Sequence, residues 1–182
     1  MQNTYKILSL LLDYPSNEVK ENLTGIMDVI EEEAYLSKSQ CRKLQVFLDY
    51  AQSLPLAEWQ MQYVQLFDFS SNSNLYLFDH VYGDSRERGQ AMVDLTEMYT
   101  QSGFMPCSNE LPDYLPLFLE YLSLLKVAKD SETLLKEVSH VLANMKKALE
   151  KKETPYQHLL DILCSLPGSV ETGINEKKGV EV

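Results

Sequence analysis

The sequence is poor in the residues from which most reactive sites are built. Its three cysteines, Cys41, Cys107 and Cys164, are widely spaced and form no CxxC pair. That excludes a disulfide framework or zinc ribbon and is consistent with reduced thiols in a cytoplasmic protein. None of the three histidines, His80, His140 and His158, has a histidine or cysteine three or four residues away. A helical metal pair is therefore absent. The seven glycines form neither GxxxxGK nor GxGxxG, which excludes a phosphate-cradling loop of either kind. Basic residues are also scarce: 16 Lys and Arg stand against 27 Asp and Glu, a net charge of −11. Such a surface repels nucleic-acid phosphates and anionic membranes, and attracts a basic partner. No run of about 18 apolar residues occurs, so direct membrane insertion is not expected. The apolar stretch YKILSLLLDYP lacks a signal-peptide cleavage pattern and reads as a first core helix.

What is present is helical punctuation, repeated along 182 residues, a length that suits one domain. The first helix is expected over about Thr4 to Asp13, ahead of Pro15. Ser16 can cap a second, with Val19, Leu23, Ile26, Met27 and Ile30 on one face. A third covers about Ser39 to Ser53, and Pro55 opens a fourth. After the polar loop at 70–74, RERGQAMVDLTEMYTQSG forms a helix with Gly103 as its C-terminal cap. ELPDYLPLFLEYLSLL follows, then one long helix from Ser131 to about Lys152 and a last short helix after Pro155. These signals predict an all-α, single-domain bundle of about eight or nine helices over residues 1–168, with a disordered tail at 169–182.

Two stretches are unusual. The first, LFDHVYGDSRERGQAMVDL, crowds Asp79, His80, Asp84, Ser85, Arg86, Glu87 and Arg88 around Gly83. Catalysis by Asp79, His80 and Ser85 is one reading, but no nucleophile-elbow pattern surrounds the serine. The plainer reading is a hinge: Gly83 releases one helix, Asp84 or Ser85 caps the next, and Glu87 lies in its first turn. Capping does not explain Arg86 and Arg88, which the helix dipole disfavours at a helix start. Both are expected to pair with acids elsewhere in the domain or at an interface.

The second stretch runs from Glu110 to Leu125. Leu111, Leu115, Phe118, Leu122 and Leu125 are spaced as a buried seam. Asp113, Leu117, Glu120 and Leu124 form a second line in which two carboxylates lie two turns apart on one helix face. That line reads either as a solvated, ion-paired face or as the wall of a groove for a basic, amphipathic peptide. In the groove, leucines and aromatics bury the peptide's apolar side while carboxylates hold its arginines. Each charge-assisted hydrogen bond would contribute about 1.5–3 kcal/mol, and two with modest apolar burial suffice for micromolar affinity.

These two stretches, with SLLLDYP near the start and QYVQLFD at 62–68, resemble the NarJ (delta-subunit) family of respiratory nitrate reductase assembly chaperones. That family lies within the all-helical redox-enzyme maturation chaperones that include TorD and DmsD. The likeness extends over about residues 5 to 165. It implies a cytoplasmic, non-catalytic chaperone with no cofactor of its own. Such a protein binds the basic N-terminal peptide of the apo catalytic (alpha) subunit and delays its membrane attachment. Meanwhile the molybdenum cofactor, and in this family iron–sulfur clusters, are inserted. A client of another type, a dimethyl sulfoxide or trimethylamine oxide reductase, is an alternative within the same fold; a general helical peptide-binding scaffold is another. The peptide-contacting residues expected on this reading are Asp113, Tyr114, Leu117, Phe118, Glu120 and Tyr121, with His80, Asp84, Arg86 and Arg88 from the hinge and Tyr63 and Phe67 from QYVQLFD. After the LPD at 111–113 the family usually carries histidine, where this chain has Tyr114.

Overall fold

The computed structural model describes residues 1–70, 72–106 and 110–166. Eleven α-helices and one 3-10 turn, Leu23–Gly25, occur among them. The helices are α1 (Gln2–Leu12), α2 (Asn17–Asn22), α3 (Ile26–Glu33), α4 (Lys38–Ser53), α5 (Leu56–Phe67) and α6 (Leu77–Tyr82). They continue as α7 (Glu87–Gln101), α8 (Leu115–Leu124), α9 (Ala128–Glu137), α10 (Ser139–Lys151) and α11 (Tyr156–Ser165). The described residues contain a single antiparallel bridge, between Tyr76 and Tyr114. The tail expected at 169–182 and Cys107 lie outside the described residues.

Local chemistry sets most of these boundaries. Ser16 accepts a hydrogen bond from the Val19 N–H and starts α2. Ser37 and Gln40 form a reciprocal capping box at α4. Gly83 ends α6 at φ 51°, ψ −125°, a conformation open to glycine and costly for other residues. Gly103 follows α7 at φ 76°.

Two expected helices are each divided in two. The helix expected after Ser16 breaks at the 3-10 turn, where Gly25 precedes α3. The long helix expected from Ser131 breaks at Val138, at φ −94° and ψ 5°. The break turns α9 toward α8, where Ser131 donates to the Leu122 carbonyl (3.0 Å). It turns α10 onto α11. These breaks account for much of the difference between eight or nine helices and eleven.

The core forms around α8, whose residues 115–119 and 121–123 are all buried. Helix α1 lies along it, and Ser9 donates to the Pro116 carbonyl (2.7 Å). On the other side α4, α10 and α11 pack together. There Phe47, Trp59, Tyr63 and Phe67 surround Tyr156, and the Trp59 indole N–H donates to the Tyr156 hydroxyl (2.7 Å). Cys41 and Cys164 are free, and burial raises both thiols above their ordinary pKa. A raised pKa disfavours the thiolate, the reactive form, at both positions.

Candidate peptide-binding groove

The acid–leucine stripe expected along α8 does not form. Helix α8 begins at Leu115, so Asp113 precedes it and shares no helix face with Glu120. Asp113 is fully buried; its Oδ2 accepts from the Phe78 N–H (2.9 Å) and its carbonyl from the Leu77 N–H (2.9 Å). It thus supplies from a distant segment the N-terminal cap that α6 lacks locally. Glu120 pairs with Lys6 of α1. Leu117, Phe118 and Tyr121 are core residues, and the Tyr121 hydroxyl lies 2.9 Å from Ser102 Oγ. Most of α8 is thus packed into the core, and only Glu120 and Leu124 of the expected stripe reach its surface.

The hinge has a definite geometry. Arg88 pairs with Asp79 (2.6 Å), an acid inside the domain. Arg86 and Asp84 are exposed, and Arg86 makes no ion pair with the described residues. Ser85 Oγ accepts from the Glu87 N–H (3.3 Å), while His80 Nε2 lies 2.9 Å from the Asn74 carbonyl. Base and hydroxyl are each engaged elsewhere, so the nucleophile–base contact of a catalytic pair is absent. His80 borders a separate hollow beside Lys147, Lys151 and Lys152.

Three of the expected residues do converge. Tyr63, Phe67 and Tyr114 line a groove of about 800 Å³ where the ends of α1 and α5 meet the Tyr76–Tyr114 bridge. Tyr14, Phe69 and Tyr76 add further rings, and four carboxylates join them: Asp13, Asp68, Asp79 and Glu110. Among the described residues no lysine or arginine lines this space. Tyr114 donates to Asp13 Oδ1 (3.0 Å) and lies 2.8 Å from the Tyr63 hydroxyl, which in turn lies 3.0 Å from the Leu12 carbonyl. Tyr114, the residue after the LPD at 111–113, is therefore built into the groove floor. Phe69 at the rim is 82% exposed and Tyr14 48%. Large aromatics left in water beside carboxylates are typical of a surface that binds a partner.

The electrostatics follow from the geometry. Burial raises the Asp68 pKa, and the nearby charge of Glu110 raises it further. Tyr76 donates to Glu110 (2.8 Å), and burial followed by that bond pushes its pKa up to about 12. Burial likewise pushes Tyr63 and Tyr114 far above the ordinary phenol value, so both remain neutral donors. Asp13, Asp68 and Glu110 make no ion pair with the described residues. The groove thus offers concentrated negative charge, apolar ring faces and a partly desolvated floor, which together suit a cationic amphipathic segment.

Asp13, Tyr14, Asp68, Phe69, Tyr76 and Glu110 were not singled out by periodicity, yet a signal for two of them exists. Asp13 and Asp68 are the C-terminal caps of α1 and α5, where the helix dipole disfavours anions. The dipole argument that marks Arg86 and Arg88 at a helix start marks these two acids at helix ends. Tyr76 and Glu110 carry no comparable mark, because only the tertiary fold brings them together.

A family model described as nitrate reductase delta subunit matches residues 33–160. The chain is 38% identical to the nitrate reductase molybdenum cofactor assembly chaperone NarJ of Escherichia coli, over 96% of this chain and 72% of that one. It is 35% identical to the probable chaperone of the same name in Bacillus subtilis, over 90% and 88% of the two chains. A crystal structure of a candidate redox enzyme maturation protein from Archaeoglobus fulgidus superposes with a TM-score of 0.62 at 21% identity. That match covers 90% of this chain and 91% of the other and shows a shared fold. On the family match and these identities, the chain belongs to the nitrate reductase delta-subunit family.

Proposed function

We propose that this protein is a maturation chaperone for the catalytic subunit of a respiratory nitrate reductase, and that it holds the apo-subunit's basic N-terminal peptide in the acidic aromatic groove. Its role is chaperoning rather than catalysis, in line with relatives named as assembly chaperones. The observation that carries the reading is the groove itself: six aromatic rings and four carboxylates, three of which make no ion pair with the described residues, in a member of this family. Rings bury the apolar side of the peptide, carboxylates hold its arginines, and the net charge of −11 speeds their encounter. Occupying the leader keeps the subunit from the membrane while the molybdenum cofactor is inserted. That step belongs to the cytoplasm, and no helix among the described residues is long and apolar enough to cross a membrane.

The test is calorimetric titration of a synthetic peptide carrying the N-terminal residues of the nitrate reductase catalytic subunit. Asp68→Asn with Glu110→Gln is expected to weaken binding at least tenfold, about 1.4 kcal/mol. Glu120→Gln, outside the groove, is expected to change nothing. Equal affinity of the wild type and the Asp68/Glu110 variant would reject the groove.

A further inference from the structure

We propose that the lysine-lined hollow beside the groove is a second subsite for the same polypeptide: it takes a carboxylate-bearing stretch that follows the basic peptide, so that the recognised segment is basic first and acidic after. The inference rests on the groove reading above. The hollow, of about 520 Å³, is lined by Lys147, Lys151 and Lys152 at the C-terminal end of α10, with Asn144 from the same helix and His80 from α6. Among the described residues no carboxylate lines it. The helix dipole accounts for lysines at this end of α10. It does not account for their isolation. In a chain with 27 acids, Lys147 and Lys151 make no ion pair with the described residues. Both are exposed, and they stand one turn apart on one face of the helix.

The hollow and the groove share a wall. Ser70 lines both, and Asp79 of α6 lines the groove while the next residue, His80, lines the hollow. The wall is held from the basic side. Lys152 Nζ donates to Ser73 Oγ (3.0 Å) and to the Leu66 carbonyl (3.3 Å), and His80 Nε2 lies 2.9 Å from the Asn74 carbonyl. Lys152 is thus engaged in the fold, which leaves Lys147 and Lys151 for a ligand. A helix is about 10–12 Å across and extended chain advances about 3.3 Å per residue, so a few residues carry a ligand from one space to the other.

The chemistry favours carboxylates on a tether over a free phosphate. Among the described residues no arginine lines the hollow to grip a phosphate with a planar fork. The hollow also lies at a helix C-terminus, whose partial negative charge opposes an anion. Carboxylates on the same chain as the basic peptide meet the lysines at high effective concentration, where exposed ion pairs suffice. The order follows from the peptide being N-terminal: only the chain after it can reach the hollow.

The experiment titrates the catalytic subunit's basic N-terminal peptide, and two versions extended at the C-terminal end by a six-residue Gly-Ser linker. One extension ends in three glutamates and the other in three glutamines; the linker spans about 13 Å. The net charge of −11 repels the glutamates, so general electrostatics alone makes that extension weaken binding. With the hollow as a subsite, wild type is expected to bind the glutamate form about three- to tenfold more tightly than the glutamine form. Lys147→Gln/Lys151→Gln is expected to abolish that gain and leave the affinity of the unextended peptide within twofold. Lys126→Gln/Lys129→Gln removes the same charge at exposed positions outside the hollow and is expected to keep the gain. Inorganic pyrophosphate is titrated alongside. No binding of the unextended peptide sinks the groove reading and this inference together. With that peptide bound, three results each sink the inference alone: no glutamate gain in wild type, a gain that survives Lys147→Gln/Lys151→Gln, or a gain lost equally in both variants. Pyrophosphate bound through Lys147 and Lys151 without any glutamate gain would assign the hollow to small anions instead.

Discussion

Asp161 on α11 lies between two ammonium groups, Lys43 from α4 and Lys146 from α10, and bonds both. Asp68, at the end of α5, meets no cation among the described residues and stands among exposed rings. Burial works to raise the pKa of both carboxyls. At Asp161 the two lysines reverse the effect and hold it below the ordinary value; at Asp68 Glu110 adds to it. The first acid ties three helices together. The second carries a charge the fold does not use, at a helix end that disfavours it. A chain this acidic can assign its carboxylates to either task, and the surrounding cations show which task each has.

Breaking the paired site should have the largest effect on stability. Asp161→Asn is expected to cost about 1–2 kcal/mol in urea-induced unfolding, because two partly buried ammonium groups lose their acceptor. Peptide affinity should stay unchanged, and a loss of affinity would show that the two regions are not independent. Acid sharpens the contrast. A lowered carboxyl pKa contributes stability above the unfolded value of about 4 and loses it as pH falls through the folded value. The gap between wild type and Asp161→Asn should therefore close on acidification.

Asp68 carries the opposite sign. With its folded pKa raised, ionisation opposes folding; that penalty is absent below the unfolded value and complete once pH has risen past the folded one. Asp68 is exposed and solvent screens its charge, so Asp68→Asn should raise stability near neutral pH only slightly and leave it unchanged in acid, while weakening the peptide. A lower melting temperature at neutral pH would show that the fold does use this charge. The smallest effect belongs to Glu120→Gln. Its pair with Lys6 is over a third exposed on both sides, so unfolding free energy should change by less than about 1 kcal/mol.

Much of the fold was legible in the sequence because its signals are local. Ser16, Pro55, Gly83 and Gly103 each act within a few residues, and each ends or begins a helix as its chemistry requires. The acid stripe on α8 failed for a reason that is also local. Heptad spacing aligns Asp113 with Glu120 only if both are helical, and Pro116 at the start of α8 marks a helix that begins after Asp113. Tyr63, Phe67 and Tyr114 reached the groove through their motifs, but the acids beside them did not, since unpaired charge is defined by what surrounds it.

The sequence by itself determined that this protein is helical and acidic, suited to a basic partner and akin to the nitrate reductase assembly chaperones, because composition, caps and motifs are properties of neighbouring residues. Tertiary structure alone decided which acids are tied into the fold and which line an open groove. It buried Asp113 under α6, paired Glu120 with Lys6 and gathered Asp13, Asp68, Asp79 and Glu110 around one groove. The free energy of a carboxylate depends on burial and on cations within a few ångströms, and chain order specifies neither.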